Sequence, residues 1–388
     1  MLCVVMLSIV IGIGTGNLFA CKPKHNDFIG PTKESFSNDF TDSNDSAVSL
    51  FAPRTGESVY DILYNAILNR EGSCDLSFFQ IADSEFMAKY NLWQLIDENP
   101  VIDYLNSYNC HSQSGVVTQI TFEYKSIPDD YMKQLENAVE HAAAWIKGQL
   151  RQNYGQAELV CAINDYIAVN CQYAYKPDGV TPDDNSSNAY AVLVNSRAVC
   201  DGYAGAFILL ARQFGLEAVK VSGITEPGNV RHAWNLAKVE GLWYHVDVTW
   251  NDPTPDTPGY AGHKYLLLSD KAISVPRSGS SQYHASWDSA IPRANDARYD
   301  DAFWVHEDTP ISFKTMRYDE WVQMIEQTSL EDLIFDAVEN NAEANVARFG
   351  YDAEKIDDEI RKLYPYIGYT YTTNSDGIVI KVGGWVMN

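Results

Sequence analysis

The sequence predicts an α+β fold, in which a helix begins at a cysteine and a β-hairpin follows it along the chain. Apolar residues recur at helical spacing over residues 207–214, shortly after Cys200, and Gly215 ends this pattern. Two runs rich in β-branched and aromatic residues flank the pair 240–241, which has the composition of a tight turn. Helical and strand patterns also occur together on either side, so we expect α+β flanking modules as well.

Length and composition indicate a globular protein with a sizeable core. The chain has 388 residues, of which 46% are hydrophobic, and this length allows about two or three domains. Its 28 Lys and Arg against 52 Asp and Glu give a formal net charge of −24, which repels phosphate backbones and anionic membrane surfaces. We therefore expect no nucleic-acid partner. The acidity suits either solubility or cationic substrates such as lysine-rich peptides and amines.

The N-terminus has the character of an export signal. Residues 1–16 are almost wholly apolar, and residues 18–20 read Leu-Phe-Ala directly before Cys21. A leucine, then a small residue before cysteine, resembles the bacterial lipobox, in which the cysteine thiol takes a diacylglycerol and the signal is removed. We expect residues 1–21 to be a signal peptide with a lipobox-like end. A lipid on Cys21 would anchor the protein in the cell membrane, outside the cytoplasm.

Two departures from the lipobox pattern keep other export routes open. Phe19 is bulky for its place, and no Lys or Arg precedes the apolar run. The alternatives are plain secretion and an uncleaved N-terminal anchor, whose roughly 16 to 20 apolar residues barely span a bilayer. All three routes place the body of the protein outside the cytoplasm.

Composition and periodicity divide the rest of the chain into four segments. Residues 22–50 are polar and form a linker, and residues 51–150 form an N-terminal α+β module. Residues 151–305 form the central domain, and residues 306–388 form a C-terminal α+β module. The predicted helices cover 59–67, 131–150, 156–170 (amphipathic), 318–328, 330–348 and 353–364, and the predicted strands cover 116–124 and a hairpin with its turn at 374–377.

The seven cysteines do not form a zinc-binding pattern, because no CxxC pair with ligand spacing occurs. Four of them lie outside the signal segment and the helix start: Cys74, Cys110, Cys161 and Cys171. These can pair in an oxidising compartment, although the sequence leaves their connectivity open. The acidic loop around Asp252 and Asp256 lacks the glycine and the terminal glutamate of a calcium loop, so we expect no metal site.

Cys200 lies where a loop ends and a helix begins. The unpaired N–H groups and the positive end of the helix dipole at such a place favour a thiolate over a thiol. An isolated cysteine is more often a small, buried core residue. The assignment of Cys200 as a nucleophile therefore depends on a base elsewhere in the sequence.

The hairpin supplies that base if its register follows from its turn. With residues 240–241 as the turn, counting outward places Trp234 opposite Asp247. His232 then lies opposite Thr249 and shares one face with Asp247 as a diagonal neighbour, roughly 7 to 8 Å away at Cα. The histidine can serve the cysteine as base and then as acid, while the aspartate orients the imidazole and stabilises its charged form.

His245 is the rival for the histidine role, because it lies on the same face of the same strand as Asp247. In the expected register Leu236 stands directly opposite it. A histidine in an aromatic-rich strand is more often a satisfied structural group. We therefore assign the catalytic role to His232 and keep His245 as the alternative.

The segments around these residues resemble the core of the transglutaminase-like superfamily. The matching residues are Val199, Cys200, Asp201, Gly202, Tyr203, Gly223, Arg231, His232, Ala233, Trp234, Asn235, Trp243, Tyr244, His245, Val246, Asp247, Val248, Thr249 and Trp250. The resemblance covers residues 188–270 and is closer to the bacterial branch than to the calcium-dependent animal enzymes. It implies a papain-like arrangement, in which the helix of Cys200 packs on an antiparallel sheet that carries His232 and Asp247.

The resemblance also implies a chemistry. Members of this superfamily form a thioester between the cysteine and an acyl group, and they pass the acyl group to an amine or to water. Cys200, His232 and Asp247 are then the catalytic residues, and the reaction needs no cofactor. The backbone N–H of Cys200 supplies one oxyanion donor, and Tyr190 and Tyr173 are the candidates for the second.

Two functions from different classes remain open. The first is cysteine-dependent acyl transfer or hydrolysis on protein or peptide substrates, with amines among the acceptors. The second is a cell-surface binding protein or scaffold that keeps the fold with little turnover. An intact set of cysteine, histidine and aspartate favours the first function, because a binding module has no need of all three.

Overall fold

The computed structural model describes residues 17–19, 51–252, 254–277, 281–300, 302–303, 310–321, 343–345, 360–362, 367–374 and 377–385. Within these residues, helices accompany antiparallel sheets, which confirms the predicted α+β class. None of the described helices is long and apolar enough to span a bilayer. Cys21 and the predicted linker 22–50 lie outside the described residues.

The described chain divides into two compact units. One contains the described residues 17–19, 53–95 and 104–127, and the other contains residues 51–52, 96–103 and the described residues from 128 onward. The elements of the first unit are β1 (Asn17–Phe19), α1 (Val59–Leu68), β2 (Ser73–Asp75), α2 (Asp83–Lys89), α3 (Leu92–Glu98), β3 (Leu105–Gln113) and β4 (Val116–Tyr124). The last residues of α3 belong to the second unit. Its strands form an antiparallel sheet in the order β1-β3-β4-β2. The helix predicted at 59–67 and the strand predicted at 116–124 are confirmed as α1 and β4.

The second unit carries all the candidate site residues that lie in the described chain. Its elements as far as residue 287 are α4 (Tyr131–Gln149), α5 (Gln156–Asn170), β5 (Gln172–Tyr173), α6 (Ala189–Leu193), β6 (Arg197–Ala198), α7 (Cys200–Gln213), β7 (Ala218–Glu226), β8 (Val230–Val239), β9 (Leu242–Val246), α8 (Val248–Asn251), β10 (Leu266–Leu268), α9 (Asp270–Ile273) and β11 (Tyr283–Trp287). A five-stranded antiparallel sheet has the order β10-β9-β8-β7-β11. Helix α7 packs against β7 and β8, which confirms the expected packing of the cysteine helix on an antiparallel sheet.

Helix α7 begins at Cys200 and ends where the sequence predicted. Its residues from 202 to 211 are all buried, so the helix lies in the core of the unit. Gly215 has φ +70°, and the N–H of Leu216 bonds the carbonyl of Ala211 at 2.9 Å, which closes the last helical turn. Glycine adopts this left-handed conformation without the strain that a Cβ would add, and this explains the helix end.

Helix α5 has the predicted bounds but not the predicted burial. The sequence indicated an amphipathic helix, whereas residues 157–168 are buried on every side. The buried Asp165 accepts hydrogen bonds from Nε2 of His263 and from the N–H of Ile311, both at 2.8 Å. Polar side chains on this helix therefore have protein partners in place of solvent.

The hairpin of β8 and β9 has the predicted register over its whole paired length. Val239 lies opposite Leu242, and the pairing continues without a shift in register to Asn235, which lies opposite Val246. The turn residues 240 and 241 both have positive φ, 51° and 83°, as in a type I′ turn, whose twist matches that of the strands.

The predicted pairing of His232 with Thr249 is wrong. Strand β9 ends at Val246, and Asp247 is the N-cap of the short helix α8, which contains Thr249. The Asp247 side chain accepts a hydrogen bond from the N–H of Trp250 at 3.1 Å, so capping takes the chain out of the sheet directly after β9. Asp247 therefore reaches His232 from the end of the strand rather than across a ladder.

Beyond residue 321 the structure describes a three-stranded antiparallel sheet. Its strands are β12 (Glu343–Asn345), β13 (Ile367–Asn374) and β14 (Gly377–Trp385), in the order β12-β14-β13. The predicted hairpin is confirmed as β13 and β14, with turn residues 375–376 outside the described chain. The helix predicted over 330–348 is wrong at residues 343–345, where ladder bonds to β14 satisfy the backbone in place of helical bonds. Most of the three predicted C-terminal helices lies outside the described residues.

All five cysteines in the described residues are free thiols. Four of them are buried: Cys74, Cys110, Cys161 and Cys171. Cys200 is partly exposed. The disulfide pairing that an oxidising compartment would permit is therefore not formed among these residues.

Candidate active site

Cys200 combines a helix N-terminus with partial exposure. It is the first residue of α7, and its N-cap residue, Val199, makes no side-chain hydrogen bond to the helix. The first N–H groups of a helix have no intrahelical acceptor, so the backbone N–H of Cys200 is left for an acceptor outside the helix. This is the environment that the sequence predicted for a reactive cysteine.

His232 lies in β8 and connects Cys200 to Asp247. Its Nε2 is 2.7 Å from Oδ2 of Asp247, and the ring also forms a hydrogen bond with Cys200. Because the carboxylate engages Nε2, Nδ1 is the ring nitrogen left for the sulfur. The imidazole stacks with Trp234 and Trp250 at centroid distances of 5.9 and 5.3 Å, so packing as well as hydrogen bonding fixes its orientation.

The charge of His232 depends on Asp247. Burial alone lowers the pKa of the imidazole, but the adjacent carboxylate and Cys200 raise this pKa to about 10. Burial raises the pKa of Asp247, but the interactions with His232 and with a second histidine, His284, hold it below its usual range. At neutral pH the pair is therefore an imidazolium and a carboxylate. An imidazolium next to a cysteine favours the thiolate.

His284 is the site residue that the sequence analysis missed. It lies in β11 and is fully buried, with Nε2 2.9 Å from Oδ2 of Asp247. The short run from Tyr283 to Trp287 has the aromatic content of a strand, and this was the available signal. Nothing in that run indicates that its strand would join the sheet beside β7, where the histidine reaches Asp247.

His245, the alternative histidine, has a structural role. It is fully buried and lies opposite Leu236, as predicted. Its Nδ1 accepts a hydrogen bond from Nε1 of Trp234 at 2.9 Å, and its Nε2 is 2.9 Å from Oδ1 of Asp270. Both ring nitrogens are therefore occupied by partners other than Cys200, His232 and Asp247.

The two oxyanion candidates lie in different surroundings. Tyr173 belongs to β5 and pairs with Ala198 of β6, two residues before Cys200. Burial raises the pKa of Tyr173, and charge on Cys200 raises it further. Tyr190 stacks on Tyr131 at 4.4 Å and donates its hydroxyl hydrogen to another residue of α4, Gln134. Of the two candidates, Tyr173 is the one that the structure relates to Cys200.

Gly223 of β7 lies directly opposite His232 in the sheet. A Cβ at this position would clash with the ring of Trp234 and with the backbone carbonyl of Ser286 in β11. The glycine therefore lets the Trp234 ring and β11 approach β7 closely. The same close approach brings His284 to the site.

Two groups of side chains in the described residues have the spacing of metal ligands. They are Cys161, Asp165 and His263, and His232, Asp247 and His284. In each group the histidines hydrogen-bond to the carboxylate, at 2.7 to 2.9 Å. Hydrogen bonding between imidazole and carboxylate accounts for both arrangements.

Asp252 lies in the predicted acidic loop and is buried against helix α7. Tyr203, one helical turn after Cys200, donates a hydrogen bond to Oδ2 of Asp252. The other oxygen, Oδ1, is buried and has no hydrogen-bond partner in the described residues. Burial raises the pKa of Asp252 to about 7, against the lowering effect of Tyr203.

An Asp252→Asn variant should be more stable than the wild type at pH 8. Because the pKa of Asp252 is higher in the folded state, charging this buried group lowers stability as pH rises from about 3.8 through about 7. The asparagine removes this charge and still accepts from Tyr203, so we expect a gain of about 1 kcal/mol or more at pH 8 that shrinks by pH 5. Thermal unfolding of the full chain at both pH values measures it. Asp256→Asn, on the exposed side of the loop, controls for net charge, and an equal gain at both pH values would contradict the prediction.

Comparison with known proteins identifies the core of the second unit. Residues 141–248 match the model of the transglutaminase-like superfamily, and this span contains Cys200, His232 and Asp247. The chain therefore contains a transglutaminase-like domain. Kyphoscoliosis peptidase of Mus musculus is 30% identical over 118 residues, and that of Homo sapiens is 34% identical over 121 residues. Each match covers 28% of this chain but only 18% of the relative, so the chain spans less than a fifth of these proteins.

Two solved structures are similar to part of this chain. A crystal structure of a TGase is 18% identical, with a TM-score of 0.27 over 37% of this chain and 44% of that chain. A candidate cysteine protease from Cytophaga hutchinsonii is 17% identical, with a TM-score of 0.25 over 38% of this chain and 58% of that chain.

Proposed function

We propose that this protein is a thiol-dependent acyltransferase or hydrolase that acts on protein or peptide amides through a thioester on Cys200. The observation that carries the proposal is the continuous contact from Cys200 to His232 to Asp247. The partly exposed thiol lies at a helix N-terminus, and the imidazole beside it is held and charged by a buried carboxylate. A nucleophile, a base and a group that orients the base are the parts that covalent acyl chemistry requires.

In the first half of the reaction the Cys200 thiolate attacks the carbonyl carbon of a glutamine side chain or a peptide bond. A carbon–sulfur bond forms, and the amide carbon–nitrogen bond breaks. The His232 imidazolium gives its Nδ1 proton to the departing ammonia or amine. The tetrahedral oxyanion is stabilised by the backbone N–H of Cys200, with the Tyr173 hydroxyl as the second donor.

In the second half an amine or a water molecule attacks the thioester. Neutral His232 takes the proton of the attacking group, the carbon–sulfur bond breaks, and the thiolate and imidazolium are restored. An amine acceptor gives a new amide, and water gives a carboxylate. Asp247 stabilises the imidazolium at both ends of the cycle, and no cofactor takes part.

The proposed place of action is outside the cytoplasm, on the membrane through a lipid on Cys21. The support is the apolar run of residues 1–16 and the lipobox-like residues before Cys21. Secretion and an uncleaved anchor are the alternatives. The proposed partners are protein or peptide substrates, with amines as acceptors. The kyphoscoliosis proteins that match 28% of this chain are named as peptidases, which favours peptide substrates.

Alkylation of Cys200 should reveal an activated thiol that depends on His232. With iodoacetamide on the full chain at pH 6, we expect Cys200 to react roughly tenfold or more faster than free cysteine, since the imidazolium favours the thiolate. In His232→Ala this advantage should disappear. Peptide mapping by mass spectrometry assigns the modified site. The four buried cysteines should stay unmodified and so report that the protein remains folded.

Either of two results would count against the proposal. Slow alkylation of Cys200 in the wild type would indicate a scaffold with a vestigial site. Fast alkylation that is unchanged in His232→Ala would show that the helix N-terminus activates the thiol without the histidine.

A further inference from the structure

Asp247 holds two imidazoles on one carboxylate oxygen. His232 and His284 approach Oδ2 through their Nε2 atoms, at 2.7 and 2.9 Å. The other oxygen, Oδ1, accepts the N–H of Trp250 at 3.1 Å. The carboxylate is therefore held from three directions, of which the proposed mechanism uses only the one toward His232.

Strand pairing and ring packing hold His284 beside Asp247. Strand β11 pairs with β7 at the edge of the sheet, and its register shifts between His284 and Ser286. The His284 ring lies against Trp250 and Trp234, with centroid distances of 4.2 and 4.5 Å. Since the ring is fully buried, it has little freedom to turn away from the carboxylate.

The hydrogen-bond partners of His284 define which of its ring nitrogens carries the proton. A carboxylate only accepts hydrogen bonds, so the contact with Asp247 needs a proton on Nε2. The opposite nitrogen, Nδ1, is buried and has no partner in the described residues. A second proton there would be a buried, unsatisfied donor near the imidazolium of His232, whose ring centroid lies 5.5 Å from that of His284. Consistently, burial lowers the pKa of His284 to about 4, against the raising effect of Asp247.

His284 does not compete with His232 for the base role. The hydrogen bond to Cys200 belongs to His232. A neutral His284 with its proton committed to Asp247 acts on the thiol only through the carboxylate. Its contribution is to fix the carboxylate and to help keep it ionised in a fully buried place.

We infer that His284 is a positioning residue, whose Nε2–H holds the Asp247 carboxylate in the place where it orients and charges His232. This inference rests on the proposed function for its effect on turnover, but its geometric part stands apart from turnover. Without the donor, Oδ2 loses one of its two hydrogen bonds and the carboxylate can rotate about its remaining contacts. The His232 imidazolium is then less well stabilised.

The first measurement uses the wild-type full chain and needs no substrate. Nitrogen-15 labelling of the histidine rings and long-range proton–nitrogen NMR report the protonation of each imidazole against pH. We expect His284 to stay neutral with its proton on Nε2 from pH 6 to pH 9, while His232 is an imidazolium over most of that range. A proton on Nδ1 of His284, or a charged His284 at pH 7, would overturn the inference.

The second measurement compares two variants at this position. His284→Phe keeps a ring of similar shape and removes the donor, whereas His284→Gln places an N–H group at a reach similar to that of Nε2. The pH at which the His232 imidazole is half protonated should fall by about one unit in His284→Phe. In His284→Gln it should be close to the wild-type value. The alkaline limb of the pH profile of kcat/KM should shift to lower pH by the same amount, because this limb marks the loss of the His232 imidazolium.

His263→Phe is the matched control, since it removes another buried histidine that bonds a buried aspartate, Asp165, in the same unit. It should lower thermal stability and leave the His232 midpoint in place. If the His232 titration midpoint in His284→Phe equals that of the wild type, or if the Phe and Gln variants shift it equally, His284 contributes only packing to the site. Failure of the proposed function is recognised separately, because the wild type would then lack both turnover and fast alkylation of Cys200 while the NMR result still decides the role of His284.

Discussion

Replacing Cys200 with alanine in the full chain should lower turnover by at least about 10⁴-fold, to the background of the assay. The substitution removes the atom that forms the thioester and leaves the rest of the site in place. Among the described cysteines, Cys200 alone joins partial exposure to a hydrogen bond with an imidazole. Burial raises the pKa of Cys74 and of Cys171 to about 12, so neither thiol can replace it.

The assay for this variant also separates transfer from hydrolysis. Glutamine-containing peptides are incubated with and without a primary amine, and ammonia, amine incorporation and new peptide termini are measured together. Ammonia with amine incorporation indicates transfer, and ammonia alone indicates deamidation. New termini without ammonia indicate cleavage of peptide bonds. Whichever product the wild type forms should be absent in Cys200→Ala.

Cys161→Ala is the matched control for the loss of a thiol. Cys161 is buried in α5 of the same unit, and burial together with Asp165 raises its pKa well above the ordinary value. We expect this variant to keep the wild-type rate. In the wild type, intact-mass measurement during turnover should detect an added acyl group on the chain. Persistent turnover in Cys200→Ala would show that the chemistry does not use this thioester.

Those parts of the site that depend on neighbouring residues in the chain could be predicted from the sequence. The start of α7 at Cys200 follows from apolar spacing and from Gly215, which ends the helix in the left-handed region. The register of β8 and β9 follows from a two-residue turn with positive φ at both positions. These local signals were enough to predict that His232 and Asp247 lie close together.

The contacts that depend on distant pairing could not be predicted. Asp247 leaves the sheet because its own side chain caps α8, an outcome that strand alternation does not reveal. His284 arrives through pairing of β11 with β7, and a short aromatic-rich run does not indicate which strand it will join. The catalytic assignment of Cys200, His232 and Asp247 stays a prediction, which the proposed variants test.

Two further differences have the same cause. Helix α5 carries polar residues that read as a solvent face, yet Asp165 finds His263 and Ile311 as partners from segments far along the chain. Residues 343–345 fit a helical pattern, yet they pair with β14. In both segments hydrogen bonds to residues far along the chain override the local pattern, since backbone groups and buried side chains need hydrogen-bond partners.

Replacing Asp247 with asparagine should lower turnover by about 10⁴-fold while leaving the shape of the site nearly unchanged. The amide NH₂ group can donate to Nε2 of His232, which would place the imidazole proton on Nδ1, toward Cys200. In that tautomer the ring cannot take a proton from the thiol. With the carboxylate charge gone, burial dominates, and the pKa of His232 should fall from about 10 to below its ordinary value. Turnover and the rate of Cys200 alkylation at pH 6 measure both effects.

The same substitution should change how stability depends on pH. The pKa of His232 is higher in the folded state, so the stabilisation from the pair is fully present below about pH 6.5 and is lost as pH rises through about 10. The wild type should therefore exceed Asp247→Asn by about 3 kcal/mol at pH 6 and by less at pH 10. Thermal unfolding of both proteins at the two pH values gives the comparison.

Asp165→Asn separates a catalytic aspartate from a structural one. Asp165 is as deeply buried as Asp247 and bonds Nε2 of His263 at a comparable distance, 2.8 against 2.7 Å, but it has no contact with Cys200. Its substitution should lower stability and leave the alkylation of Cys200 as in the wild type. Equal losses of Cys200 reactivity in the two variants would mean that the site responds to general loosening of the core. Loss in Asp247→Asn alone would tie the reactivity of the thiol to the charge that Asp247 places on His232.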